Sequence, residues 1–213
     1  MSFLYYLFDL DGTLTDPGEG ITNSVMYALK KMGIDPPDRK ELYRFIGPPL
    51  SESFQKFYGF SHDDALKAVE YYREYFRPKG ILENRLYDKI PEVLAALKAR
   101  GKIVCLATSK PEEFAITILK HFDLYRYFDF IGGATMDGSR GKKADIIAYV
   151  LEGMNITDRS EVLMIGDREH DILGAAANGI ASAGVLYGYG DLEELRQAGA
   201  DHIISTPEGL ILT

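Results

Sequence analysis

Residues 3–15, which read FLYYLFDLDGTLT, decide the fold. The first six are apolar or aromatic, and such a run is typical of a strand buried on both faces in the middle of a parallel sheet. Asp9 and Asp11 follow it, and alternate residues of an extended chain share a face. We therefore expect both carboxylates at the carboxyl end of this strand, the edge where open α/β sheets bind ligands.

Two carboxylates held together beside an apolar strand repel each other unless a cation or a shared proton offsets the repulsion. Gly12 then allows a tight turn and a close approach to a ligand. The plain alternative is an inert, solvated acidic turn. These residues resemble the first motif of the haloacid dehalogenase superfamily, Asp-x-Asp-Gly-Thr. The resemblance implies that Asp9 attacks phosphorus and that Asp11 handles the protons of the leaving group and of water. Through its close approach, Gly12 is expected to bind the phosphate.

Composition and charge narrow the class of protein. The 213 residues, 46% of them apolar, fit one domain with an insertion or one large and one small domain. The net charge of −8 argues against a general affinity for nucleic acid or anionic membrane. The apolar start is too short for a signal peptide, and we expect a cytoplasmic protein. Cys105 lies in an apolar run and is expected to be a buried small residue rather than a nucleophile.

The order of the predicted elements indicates two units. Only helical patterns occur in the block that follows the first strand, whereas strands and helices alternate after Pro91. We predict a doubly wound, Rossmann-like α/β core with a parallel sheet over residues 1–16 and 84–213, and an inserted helical domain over 17–83. In the superfamily that the first motif resembles, this insertion is the cap that closes over the active site.

Hydrophobic patterning and Gly and Pro positions predict the elements of the core. The later strands are predicted at 103–107, 128–131, 162–165, 181–185 and 202–204. The helices between them are predicted at 91–101, 111–122, 142–154, 168–178 and 192–198.

Polar residues follow the predicted strand 103–107. A hydroxyl at a strand's carboxyl end is placed to bond a phosphate oxygen, and Pro111 at the first helical position would leave N–H groups directed at the anion. The alternative is a helix N-cap without a function. The resemblance puts Thr108 at the superfamily's second motif, with a catalytic and phosphate-binding role. Ser109 and Lys110 stand where close relatives keep polar residues, and we expect them to bind phosphate.

Two lysines open the predicted helix 142–154. Helical phase aligns Lys143 with Ile147 and Val150 on the inward side, whereas Lys142 points elsewhere. We choose Lys143 as the third-motif lysine, and Lys142 remains the alternative. In the superfamily this lysine holds the nucleophilic Asp and the phosphate through its charge.

The predicted strand 162–165 leads into residues 166–171, GDREHD. Asp167 ends the strand and Asp171 follows one helical turn later, so both can face one pocket. This resembles the fourth motif, Gly-Asp-x-x-x-Asp, whose acids hold Mg²⁺ directly or through water. Oxygen ligands of this kind suit Mg²⁺. The predicted metal ligands are Asp9, Asp11, Asp167 and Asp171.

The four motifs occur in the superfamily's order and together cover the chain. The resemblance implies a Mg²⁺-dependent phosphatase that hydrolyses a small phosphomonoester through an aspartyl-phosphate. The segments 45–50, 83–87 and 187–190 resemble the phosphoglycolate phosphatase-like group and, within it, the 5′-nucleotidases. The expected substrate is therefore a small phosphorylated metabolite or a nucleoside monophosphate.

Other readings stay open from the sequence. A phosphomutase fits the same motifs. A phospho-receiver also uses a strand-end Asp, a hydroxyl residue and a Lys, but its phosphorylated Asp normally lies mid-chain and it has no helical insertion. A binding protein on a retired enzyme scaffold is the other non-catalytic alternative. A phosphonate hydrolase requires a cap lysine, and the candidates are Lys30, Lys31, Lys56, Lys67 and Lys79. Gly188-Tyr189-Gly190 lacks the third glycine of a dinucleotide fingerprint and follows a late strand. A monomer and a homodimer are equally compatible with the sequence.

Overall fold

The computed structural model describes residues 3–212, in which strands and helices alternate over most of the chain. In chain order the strands are β1 (Tyr5–Phe8), β2 (Thr15–Asp16), β3 (Arg85–Leu86), β4 (Ile103–Pro111), β5 (Phe130–Ala134), β6 (Val162–Gly166), β7 (Ala181–Val185) and β8 (His202–Ile204). The α-helices are α1 (Gly18–Lys31), α2 (Leu50–Tyr58), α3 (His62–Phe76), α4 (Ile90–Ala99), α5 (Glu112–His121), α6 (Lys143–Gly153), α7 (Glu169–Ala177) and α8 (Leu192–Gln197). Short 3₁₀ helices cover Arg39–Phe45, Gly80–Leu82, Tyr125–Tyr127, Arg159–Glu161 and Pro207–Leu212.

One parallel sheet of six strands organises the core, in the order β5-β4-β1-β6-β7-β8. Leu7 of β1 pairs with Cys105 of β4 on one side and with Met164 of β6 on the other. The chain runs outward from β1 to β5, returns to β6 and runs outward again to β8. The predicted doubly wound fold is confirmed, and its switch point lies between β1 and β6.

The central strand is buried on both faces, as its composition predicts. Tyr6, Leu7 and Phe8 alternate in direction and are all buried. Leu7 and Met164 belong to a cluster that includes Ile147 of α6. Full burial of a side chain such as Phe8 stabilises the fold by about 1.5–3 kcal/mol, which is consistent with the absence of charged residues from this segment.

Cys105 is a buried member of the same cluster. Burial raises the pKa of its thiol to about 12. Because the thiolate is the reactive form, Cys105 is unsuited to act as a nucleophile at neutral pH. The prediction of a buried small residue is confirmed.

The chain divides into two compact units: Asp16–Arg85, and the residues up to Thr15 together with those from Leu86 onward. The first unit contains α1, α2 and α3, and α1 packs against α3. Where the chain passes from one unit to the other, β2 and β3 pair as a two-stranded sheet. Within residues 3–212, no helix has the length and apolar character that a membrane span requires.

The prediction for β5 was wrong at both ends. Its start lies at Phe130 rather than 128, because the N–H of Phe128 closes the preceding 3₁₀ turn by donating to Tyr125. The strand continues through Gly132 and Gly133, which the prediction treated as an end. Glycine is needed there because a Cβ on Gly132 would collide with Val150 of α6.

Candidate active site

The first pair of acids lies where β1 ends, at the carboxyl edge of the sheet. The N–H of Asp9 donates to Ile165 O of β6 at 2.9 Å, which keeps Asp9 in register with the sheet. The chain then turns sharply, and the N–H of Gly12 donates to Thr15 O at 2.8 Å. Gly12 has a φ of +85°, a conformation that favours glycine. Both acids are consequently held at this edge and buried.

The second pair of acids comes from the neighbouring strand. Asp167 directly follows β6, and Asp171 lies in the first turn of α7. Asp171 Oδ2 accepts a hydrogen bond from Arg168 N at 3.1 Å, which turns the carboxylate back toward the end of β6. A Cβ on Gly166 would collide with this carboxylate, so glycine permits the close approach. Both acids are buried.

Three of the four carboxylates converge. Single carboxylate oxygens of Asp9, Asp167 and Asp171 all lie within 4.8 Å of one another. Burial, followed by the charges of Asp171 and Asp9, raises the pKa of Asp167 well above its ordinary value. A divalent cation would remove this repulsion, and buried carboxylate oxygens are the ligands that Mg²⁺ prefers. The donor set of this group therefore fits Mg²⁺.

Lys143 contacts two of these acids. Its Nζ lies 2.9 Å from Asp9 Oδ1 and 2.8 Å from Asp171 Oδ1, and it donates a hydrogen bond to Ala107 O of β4 at 2.9 Å. Burial by itself lowers the pKa of Lys143, but the charges of Asp171 and Asp9 outweigh burial and raise it. The lysine therefore stays charged. Lys142, the N-cap of α6, is exposed.

The carboxylate of Asp11 has a different partner. Its Oδ2 forms a buried ion pair with Lys110 Nζ. The sequence placed Asp11 among the metal ligands and Lys110 among the phosphate-binding residues. In the structure the two side chains bind each other, and the converging group consists of the other three acids. Burial raises the pKa of Asp11 although Lys110 opposes the shift.

The predicted phosphate-binding residues lie at the end of β4, which continues to Pro111 instead of stopping at 107. Thr108 is buried there, and its Oγ1 accepts a hydrogen bond from Lys110 N at 3.3 Å. Ser109 is partly exposed. Pro111 is the N-cap of α5 rather than its first residue, because its backbone still pairs with β5 after a register shift.

Two contacts to Asp167 escaped the sequence analysis. Thr13 Oγ1 donates to Asp167 Oδ1 at 3.4 Å, and the Tyr189 N–H donates to Asp167 Oδ2 at 2.7 Å. The threonine of the first motif was a usable signal for the first contact. The second uses a backbone N–H, which no side-chain pattern reveals.

The ion pair between Asp11 and Lys110 predicts a strong effect on stability. Lys110→Met is expected to lower the free energy of unfolding by about 3–5 kcal/mol, because it leaves the Asp11 carboxylate buried without its cation. Adding Asp11→Asn to this variant removes the uncompensated charge, so most of the loss should be recovered. Urea unfolding of the wild type, both single variants and the double variant measures this coupling. A loss in the double variant equal to the sum of the two single-variant losses would contradict this coupling.

Comparison with known proteins extends over nearly the whole chain. The sequence profile described as "Haloacid dehalogenase-like hydrolase" matches residues 6–185, which include all the acids and lysines of the candidate site. A 5′-nucleotidase from Pseudomonas aeruginosa is 52% identical over 190 residues, which are 89% of this chain and 86% of that protein. The tyrosine-protein kinase PtkA of Mycobacterium tuberculosis is 40% identical over 186 residues, 86% of this chain and 62% of the kinase.

A further relative and a solved structure also match nearly the whole chain. A phosphoglycolate phosphatase from Vibrio parahaemolyticus is 29% identical over 215 residues, covering 96% of this chain and 92% of that protein. The crystal structure of a predicted phosphatase from Clostridium acetobutylicum has a TM-score of 0.97 and 47% identity. It covers 100% of this chain and 98% of that one.

Proposed function

Because this chain belongs to the haloacid dehalogenase-like hydrolase family, we propose that it is a Mg²⁺-dependent phosphatase that works through an aspartyl-phosphate on Asp9. Relatives named 5′-nucleotidase and phosphoglycolate phosphatase support the general phosphatase activity, and the family match confirms the resemblance to the superfamily. One observation of the structure carries the proposal. Within residues 3–212 every buried charged side chain belongs to this one site, namely Asp9, Asp11, Lys110, Lys143, Asp167 and Asp171.

Asp9 is the proposed nucleophile. One of its carboxylate oxygens forms a bond to phosphorus while the bond from phosphorus to the leaving oxygen breaks. Asp11 is the proposed general acid, and it gives a proton to that oxygen; burial favours the protonated form and the ion pair with Lys110 opposes it. Asp11 then takes a proton from water. The water oxygen bonds to phosphorus as the bond to Asp9 breaks, which releases phosphate and restores the enzyme.

Lys143 is the proposed positioning and charge-stabilising residue. Its contacts with Asp9 and Asp171 fix the nucleophile against the end of β6. A phosphoryl transition state spreads negative charge over its equatorial oxygens, so a buried cation beside it lowers the barrier. We assign Thr108, Ser109 and the backbone at Gly12 to the phosphate group. Lys110 is assigned to the Asp11 carboxylate, with which it forms an ion pair, and it would act on the phosphate only indirectly, through Asp11.

Asp9, Asp167 and Asp171 would hold the Mg²⁺. When bound, the ion would offset the negative charge shared by these carboxylates and the phosphoryl group. The four buried acids outnumber the two buried lysines, so the site has negative charge left for a cation to balance.

Chelation provides the test of the proposal. Purified protein should release phosphate from a panel of phosphomonoesters, including 2-phosphoglycolate, nucleoside 5′-monophosphates and sugar phosphates. Activity should fall to background with chelator, because without the cation the carboxylates repel each other and the phosphate. It should return when Mg²⁺ is added. A preference for nucleotides would identify a 5′-nucleotidase, and a preference for phosphoglycolate would identify the parent group. Chelator-resistant release would contradict the metal assignment.

The 40% identity to a tyrosine-protein kinase suggests protein phosphorylation as a rival activity. The same carboxylate, lysine and cation chemistry could pass a phosphoryl group to a protein hydroxyl instead of water. Incubation with labelled ATP and a tyrosine-containing protein separates the two activities. Label retained on tyrosine, with no release of free phosphate, would favour the kinase.

Substrate choice is assigned to the inserted helices. We propose that residues 17–83 act as the cap, with 1–16 and 84–213 as the catalytic core, and that side chains of the cap select the phosphomonoester. Exchange of this segment with that of the Pseudomonas aeruginosa relative should transfer the substrate preference while leaving chelator sensitivity unchanged.

A further inference from the structure

Asp167 is enclosed by glycines. It is fully buried after β6, and a Cβ on any of three residues, Gly12, Gly188 or Gly190, would collide with its side chain or backbone. Gly188 and Gly190 belong to residues 187–190, which follow β7 and which we call the 187–190 loop. The loop therefore forms a wall of the space that Asp167 occupies.

The same loop holds the Asp167 carboxylate directly. The Tyr189 N–H donates to Asp167 Oδ2 at 2.7 Å, a short hydrogen bond to a charged acceptor. Thr13 bonds the other oxygen, Oδ1, at 3.4 Å. The carboxylate is thus held at Oδ2 by the Tyr189 amide and contacted more weakly at Oδ1 by Thr13, and neither group is among the converging acids.

The loop is anchored at both ends. The Tyr187 ring packs edge-on against Tyr87, with ring centroids 5.1 Å apart. Beyond Gly190, the N-cap of α8 leads to Glu194, whose Oε1 accepts hydrogen bonds at 2.8 Å from both Arg168 Nε and Glu169 N. The start of α7, which carries Asp171, is therefore tied to the segment that follows the loop.

We infer that the 187–190 loop is a positioning element of the metal site, which holds the Asp167 carboxylate in its ligating orientation. It does so through the Tyr189 amide and through the lack of side chains at Gly188 and Gly190. The inference rests on the proposed metal site and adds to it residues outside the four motifs. Groups that orient metal ligands in this way commonly control metal affinity.

Gly188→Ala tests the inference most sharply. The new Cβ would lie 2.6 Å from Asp167 Oδ2 and closer still to the Gly12 carbonyl, so the carboxylate or the turn must shift. Mg²⁺ affinity, measured by titration calorimetry on the full chain, should fall by about 10–100-fold. Circular dichroism in chelator establishes that the variant is folded. Wild-type affinity in folded Gly188→Ala would overturn the inference.

Gly141→Ala is the matched control. Gly141 lies in the loop before α6, its φ is outside the left-handed region, and an added Cβ would make ordinary contact with Gly138 O at 3.6 Å. The same chemical change there should leave the Mg²⁺ affinity at the wild-type value. An equal loss in both variants would show a general effect of glycine substitution and would overturn the inference.

The wild-type chain gives a second readout that needs no variant to fold. In a Mg²⁺ titration followed by NMR, the Tyr189 amide should shift, whereas the amide of Gly101, which precedes β4 at the opposite edge of the sheet, should not. Metal binding without a shift at Tyr189 would overturn this inference but leave the proposed metal site standing. The absence of any Mg²⁺ binding by wild-type protein would instead overturn the proposed metal site.

Discussion

Replacing Asp9 with asparagine is expected to lower phosphate release by about 10⁴-fold or more, because an amide oxygen cannot form the proposed covalent intermediate. The amide keeps the volume of the side chain and removes one negative charge from a crowded group of acids. We therefore expect the variant to remain folded. Phosphate release at saturating Mg²⁺, together with circular dichroism, measures both effects.

Asp88→Asn is the control for this substitution. Asp88 is an exposed residue of the same compact unit, so the identical change there should leave activity unaltered. Substantial turnover by folded Asp9→Asn would remove Asp9 as the nucleophile. The converging acids would then be a metal site without covalent chemistry.

Lys143→Met has the second large expected effect, and it acts on stability and activity together. The substitution leaves Asp9 and Asp171 buried without the cation that now lies within 2.9 Å of both. Loss of one partner from a buried charge cluster destabilises a protein by about 3–5 kcal/mol. Loss of a positive charge beside the transition state should also lower kcat by about 10²–10³-fold, the effect commonly seen when one charge-stabilising group is removed.

The neighbouring lysine offers a matched control for Lys143→Met. Lys142 is adjacent in sequence but exposed, so Lys142→Met should change neither the urea midpoint nor the rate by a measurable amount. Urea unfolding and steady-state kinetics in Mg²⁺ compare the two variants. Similar effects of the two substitutions would contradict the assignment of the buried lysine.

The sequence was most informative where chemistry is carried by a side chain at the end of a strand. The unbroken apolar run before Asp9 predicts a central buried strand, and the order of strands and helices predicts the double winding. Helical phase chose Lys143 over Lys142 because only one face of α6 meets the sheet. Asp167 followed from its place after another apolar strand. These features depend on local periodicity, which a single sequence records.

The parts that were missed depend on residues far apart in the chain. The pairing of Lys110 with Asp11 joins two strand ends, and nothing near Lys110 distinguishes that partner from a phosphate. The close contact of Gly188 and Gly190 with Asp167 depends on the absence of side chains at two positions that only the fold brings next to Asp167. The predicted β5 also ends one residue before Gly132, whereas in the structure Gly132 and Gly133 continue the strand and allow close packing against α6.

Acid-quench trapping tests the central claim most directly. Wild-type protein, mixed with ³²P-labelled p-nitrophenyl phosphate and Mg²⁺ and quenched in acid during turnover, should carry acid-stable ³²P. Reduction of the quenched protein with tritiated borohydride releases the phosphate and converts the phosphorylated aspartate to tritiated homoserine, which peptide mapping should locate at position 9. The Asp9→Asn variant should carry none. Steady release of phosphate by wild-type protein with no label at Asp9, or with label at another residue, would contradict the aspartyl-phosphate mechanism.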